Sequence, residues 1–92
     1  MLYSIEARKQ LESLKRRGVI LKLRKIKATL DKLQENPRHP GLHTHKYQSL
    51  EYDDCDVFQS YVENRTPGAY RVFWCYGPEK EQITIIAITP HP

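Results

Sequence analysis

The chain has no apolar run approaching the roughly 20 residues that cross a bilayer. Its first residues, Met1-Leu2-Tyr3-Ser4-Ile5-Glu6, lack the charged-then-apolar layout of a secretory signal. The expectation is a soluble, cytoplasmic protein without a membrane partner. Cysteine is scarce: Cys55 and Cys75 stand 20 positions apart and make no CxxC pair. Free thiols, buried or partly buried, are the expected state, with a disulfide as the alternative. Internal repeats and low-complexity segments are also missing. Ninety-two residues leave room for one domain, residues 1–92, with little space for a second core. At 39% hydrophobic and 28% charged, with nine aromatics, the composition is that of a globular chain rather than a disordered one.

Acidic residues are few in one half and cations few in the other. Residues 1–50 carry 12 Lys/Arg against four Asp/Glu, a net +8, whereas residues 51–92 carry three against seven, a net −4. The basic half invites a polyanion or an acidic partner segment. A solvated helix surface is the plainer alternative.

The first half reads as helical. Ala7, Leu11 and Leu14 recur at i, i+4, i+7 and make one apolar stripe. Gly18, following Lys15-Arg16-Arg17, is a helix stop with cations at the negative end of the dipole. A second helix is expected from about Val19 to Glu35, burying Val19, Leu23, Ile26, Leu30 and Leu33, so the two form an antiparallel hairpin. Asn36-Pro37-Arg38-His39-Pro40-Gly41 ends the helical region.

The period then changes to that of strands. Leu42–Leu50 is compatible with one strand, and Glu51–Asp56 with an acidic connection. Val57–Asn64 and Ala69–Tyr76 read as strands joined by a turn at Arg65–Gly68. Gly77–Glu81 is a second tight loop. Gln82–Thr89, β-branched and apolar on both faces, reads as a central strand stopped by Pro90-His91-Pro92. Tyr3–Ile5 is a candidate short first strand. The implied fold is α+β: an N-terminal antiparallel helical hairpin packed on one face of a small, mainly antiparallel β-sheet.

Side chains alternate along a strand. Tyr70, Val72, Trp74 and Tyr76 then point toward the helices, whereas Ala69, Arg71, Phe73 and Cys75 point away. Arg71 is expected on the face without helices, open to solvent or a cleft, with Phe73 as a stacking surface. The alternative is a structural arginine paired with Glu63 or Asp56, a partly exposed ion pair of roughly 0.2–1 kcal/mol.

Three stretches, "ENPRHPGLHTHKYQSL" (35–50), "ENRTPGAYRVFWCYG" (63–77) and "ITIIAITPHP" (83–92), resemble the RelE/ParE superfamily of bacterial toxins from type II toxin–antitoxin modules. The order of elements agrees over nearly the whole chain except Met1–Ile5. The resemblance implies a compact toxin neutralised by a cognate antitoxin segment lying across its surface. RelE-like and HigB-like members cleave mRNA on the ribosome, and ParE-like members act on DNA gyrase. The arginine of the Gly-x-Tyr-Arg motif maps onto Arg71, and it faces the scissile phosphate in cleaving members. His91 occupies the end of the last strand, where further catalytic groups are supplied. RelE-type cleavers carry closely spaced lysines on the strand before the motif. Here Gln59, Ser60, Tyr61, Val62 and Glu63 stand there instead, so cleavage needs an acid–base set closer to the histidine-using HigB type.

Metal-free RNA cleavage needs a base for the 2′-OH, a cation for the charge on the phosphorane and an acid for the departing 5′-oxygen. General acid–base groups contribute typically about 10²–10⁴-fold, and an unperturbed histidine titrates near about 6.5. Arg71 suits the phosphorane because its planar fork matches phosphate oxygens. Arg65 is a candidate grip on a flanking phosphate, His91 the candidate acid, and Glu63 or His45 the candidate base. Each has a structural alternative: a frayed terminal residue, a turn residue or an ion-pair partner. Lys46 and Tyr47 set a cation beside an aromatic, a pairing that suits RNA contact together with Phe73. The helical cations, Lys22 and Lys25 among them, offer a sequence-independent footprint for ribosomal RNA or a seat for an acidic antitoxin. His39, His43 and His45 raise a metal question, but no cysteine or carboxylate sits at a matching spacing; no metal and no cofactor is expected. The expectation is a ribosome-dependent mRNA endoribonuclease. The alternatives are a ParE-like gyrase inhibitor without hydrolytic activity and a non-toxic binding module of the same fold.

Overall fold

The computed structural model describes residues 1–63, 66 and 68–90. In chain order these form β1 (Leu2–Tyr3), α1 (Ile5–Arg16), α2 (Ile20–Glu35), a short 3-10 turn (Pro40–Leu42), β2 (His45–Tyr52), β3 (Cys55–Tyr61), β4 (Tyr70–Tyr76) and β5 (Ile83–Pro90). The strands make one mixed sheet in the order β1-β5-β4-β3-β2. β1 runs parallel to β5, and the other neighbours pair antiparallel. The fold is therefore α+β, two helices with a five-stranded sheet.

Local chemistry explains the helical hairpin. Ser4 caps α1 by accepting the Ala7 N–H on its hydroxyl. Gly18 adopts φ +67 just past the end, a conformation that costs a glycine little. The apolar stripe packs as its spacing requires: Ala7, Leu14, Ile26, Leu30 and Leu33 are buried together with Val72, Trp74, Ile83, Ile85 and Ile88 of the sheet. Leu11, Val19 and Leu23 pack at the margin of this core.

The strand region departs from expectation at its first strand. Pro40–Leu42 turns as a 3-10 element capped by His39, whose Nδ1 accepts the Gly41 N–H at 2.9 Å, so β2 starts only at His45. β2 runs on through Glu51 and Tyr52, and the acidic connection shrinks to Asp53-Asp54. Both adopt positive φ (49 and 62), as a two-residue hairpin turn demands and aspartate tolerates. The expected turn at residues 65–68 lies largely outside the described residues.

The outer edge of β5 is closed by the N-terminal segment. Leu2 and Tyr3 pair with Thr84 and Ile85. The Ser4 N–H donates to the Ile85 carbonyl at 2.8 Å, and its hydroxyl donates to the Ile86 carbonyl at 2.6 Å. Further along, the Gln10 side-chain oxygen accepts the Ile88 N–H.

The two faces of the sheet separate as alternation predicts. Val72 and Trp74 join the core under the helices, and Tyr70 packs against it. Phe73 and Cys75 join Val57 and Ile86 in a smaller cluster on the other face, flanked by Tyr47, Tyr52, Cys55 and Ala87. A register shift between β4 and β5 leaves one extra β5 residue, so Ile86 and Ala87 both lie with this second cluster. Tyr76 keeps ring contacts with Phe58 and Trp74 yet stays 46% exposed, so it is not part of the bulk the helices bury.

Candidate functional site

β3 and β4 set Tyr61 directly opposite Arg71, and alternation places both on the helix-free face. The Arg71 guanidinium lies over the Tyr61 ring, its central carbon 3.6 Å from the ring centroid. Arg71 is consequently only 8% exposed, which corrects the expectation of an arginine open to solvent: the aromatic of the neighbouring strand covers it.

Its hydrogen bonding is incomplete. Nη1 reaches the Glu63 carbonyl at a long 3.4 Å, and Nε is buried with no hydrogen-bond partner among the described residues. Among the described residues no carboxylate pairs with Arg71. The alternative of a structural ion pair from Arg71 to Glu63 or Asp56 is not what forms, because both acids are engaged elsewhere. The Glu63 carboxylate takes Lys22 and Lys25 of α2, the latter at 3.0 Å, and Asp56 takes Lys46 at 3.4 Å. Leaving a buried polar group unpartnered costs about 1–3 kcal/mol, so the Arg71 Nε is a position that an accepting oxygen would stabilise.

Two imidazoles flank the same tyrosine. The His43 and His45 ring centroids lie 5.8 Å and 5.9 Å from that of Tyr61. His43 is carried by a residue at φ 48 closing the 3-10 turn, and His45 opens β2. Both are exposed beside a buried guanidinium. The structure thus gathers Arg71, Tyr61, His43 and His45 into one cluster, of which sequence reasoning named Arg71 and His45. Tyr61 and His43 were missed as site residues. The pairing of β3 with β4 is the signal for Tyr61, since a hairpin register through the turn places it across from Arg71.

The other site residues are distributed differently. The Glu63 carboxyl is held below the usual carboxylate range, first by its hydrogen bond to Lys22, against the opposing effect of burial, and then by Lys25. A base so committed to two lysines binds a proton weakly. Glu63 connects the cation pair of α2 to Arg71 only through its backbone carbonyl. Lys22 also lies 5.7 Å above the Tyr70 ring. Phe73 is 8% exposed, with the edge of Tyr47 against it at 5.0 Å, so the two aromatics pack on each other rather than offering open stacking faces. Arg65 and His91 lie outside the described residues. Among the described residues no group of three or more His, Cys, Asp and Glu is placed to hold a metal ion, and no helix is long and apolar enough to cross a membrane.

On the opposite side of the molecule, α1 and α2 leave between them a groove of about 580 Å³ lined by Tyr3, Leu11, Leu23, Ile26 and Leu30. Arg8, Lys15 and Lys27 stand along its rim with Glu12 as the one acid among the lining residues. No protein-family model, curated protein or solved structure matches the chain.

Proposed function

We propose that this protein is the toxin of a bacterial type II toxin–antitoxin module, acting as a metal-free endoribonuclease on mRNA at the ribosome. The observation that carries the reading is the buried, carboxylate-free Arg71 with its unpartnered Nε beside the exposed imidazoles of His43 and His45. A phosphate oxygen is the acceptor that fits a guanidinium left in this state. In this mechanism Arg71 holds the scissile phosphate and meets the charge that grows on the phosphorane. His45 removes the 2′-OH proton, the 2′-oxygen attacks phosphorus, and the 5′-oxygen leaves with a proton from His91. Tyr61 shields the guanidinium from water, which strengthens its field at the phosphate. The basic-rimmed apolar groove between α1 and α2 is the seat for the antitoxin, whose complement is an amphipathic segment with acids on its flanks.

Mapping of mRNA 5′ ends after induced expression tests this. Wild type should cut within translated codons, and Arg71→Ala should lower cutting by about 10²–10³-fold, the scale of losing one transition-state charge partner. Cuts that survive Arg71→Ala would overturn the assignment.

A second reading, a ParE-like gyrase inhibitor, draws on β3: it brings no lysine to the site, and Lys22 and Lys25 are taken up by Glu63. DNA-damage induction with intact mRNA would select it. Absence of any growth effect without an antitoxin would favour a binding module of the same architecture.

A further inference from the structure

The sheet brings the two cysteines of the chain together. Cys55 opens β3, and Cys75 lies one residue before the end of β4. The register Phe58↔Trp74, continued by one residue, sets Val57 opposite Cys75. Cys55 is then two residues further along the same face, a diagonal neighbour. Cys75 belongs to the buried cluster with Val57, Phe73 and Ile86, and Cys55 packs against that cluster from its rim.

The two residues line one cleft, and their thiols differ sharply in environment. Cys75 is 3% exposed, and burial first, then Cys55 and Asp53, push its thiol up to about 11. Cys55 is half-buried and lines two open clefts, one with Tyr47, Asp54 and Asp56, the other with Cys75, Gly77 and Thr84. One thiol is reachable from solvent, and the second stands enclosed behind it.

We propose that Cys55 and Cys75 are a redox-active pair that a hydroperoxide converts to an intramolecular disulfide. The Cys55 thiolate attacks a peroxide oxygen, the O–O bond breaks, and Cys55 becomes a sulfenic acid while the other oxygen leaves, protonated, as water or alcohol. Cys75 then gives up its proton and attacks the Cys55 sulfur. The S–S bond forms, the S–O bond breaks, and the departing hydroxide takes that proton and leaves as water. Two thiols lose two protons and two electrons, and one peroxide is reduced. Because the Cys75 thiol holds its proton strongly, the second step is the slow one, and the sulfenic acid persists long enough to trap. Diagonal partners sit wider than an ordinary disulfide spans, so closure draws the start of β3 toward β4 at the Asp53-Asp54 turn. A bond closed in this way is readily reduced again.

The test treats the reduced full-length protein with hydrogen peroxide, blocks remaining thiols with an alkylating reagent, and reads intact mass and peptide map. The expected result is a monomer lighter by about 2 Da that takes no alkyl group, with the 55 and 75 peptides linked and dithiothreitol restoring both thiols. Cys75→Ser should leave Cys55 as a dimedone-reactive sulfenic acid, and Cys55→Ser should leave Cys75 unoxidised over the same time. Wild-type protein that keeps two alkylatable thiols, or links only between chains, overturns the proposal, as does Cys55→Ser protein in which Cys75 oxidises at the wild-type rate.

Discussion

Arg71 and Tyr61 stand directly opposite each other on adjacent strands, and the guanidinium of one lies on the ring of the other at 3.6 Å. The stack and the unpartnered Nε make different demands, so substitutions separate them. Tyr61→Phe keeps the ring face and should leave folding and the proposed RNA cleavage close to wild type. Tyr61→Ala should cost about 1 kcal/mol of stability, the scale of a shielded cation–π contact. It should also cost more in cleavage than in folding, because water then reaches the guanidinium. Denaturant melts beside cleavage rates give both numbers. Equal losses from Phe and Ala would assign the work to the hydroxyl instead.

Glu63 carries a pH signature. Its folded-state pKa is lowered, chiefly by Lys22 and further by Lys25. A carboxylate of this kind stabilises the fold above its unfolded value, near about 4.3, and loses that contribution as pH falls through the lower folded value. Glu63→Gln should therefore destabilise the protein by about 1 kcal/mol at neutral pH, a modest figure because Lys25 is 55% exposed. The wild-type and variant melting temperatures should converge in acid, once Glu63 is protonated in both states. A constant gap from neutral to strongly acid pH would show that charge is not the cause.

The core under the helices contains a polar chain. The Trp74 indole N–H donates to the Ser60 hydroxyl at 2.8 Å, and Ser60 and Thr44 hydroxyls lie 2.7 Å apart. Trp74 and Ser60 are 1% and 0% exposed. Ser60→Ala should lose about 1–3 kcal/mol by leaving the indole N–H without an acceptor. Combined with Trp74→Phe the losses should fall short of their sum, because the orphaned donor is gone. Urea melts of both single variants and the double variant measure the coupling.

The groove between α1 and α2 has cations at its rim, all on exposed positions. Reversing Arg8, Lys15 and Lys27 to glutamate should leave the melting temperature nearly unchanged. If the proposed antitoxin seats there, the reversal should weaken its binding by about tenfold or more and flatten the salt dependence. Titration calorimetry at two salt concentrations checks this. Unchanged affinity would remove the groove from the proposal.

The helices announced themselves through spacing: the residues expected to face inward, from Ala7 to Leu33, do pack against the sheet. Their boundaries followed from Gly18 and the Pro37–Gly41 segment. β2 gave no such signal, because it is an edge strand with six of its eight residues exposed, so no apolar alternation marks it. The burial of Arg71 was hidden for another reason. Its cover comes from a residue ten positions earlier, and only the hairpin register brings the two together. The same holds for Glu63, which reaches across to cations on α2 rather than to the arginine nearer in sequence. Strand parity assigns a side chain to a face, but its partner depends on how neighbouring elements pack.

Ser4, Gln10 and the two residues of β1 occupy the backbone groups along the free side of β5. β5 is also the most isoleucine-rich strand of the chain. Stripped of that cover, it would present a row of idle donors and acceptors on a sequence well suited to recruit a strand from another molecule. The expected role of the N-terminal segment is to shield that edge from strand addition. Removing it, or fusing a bulky tag that displaces it, should raise the apparent mass in size-exclusion chromatography above that of the intact protein, and an unchanged elution volume would count against this role.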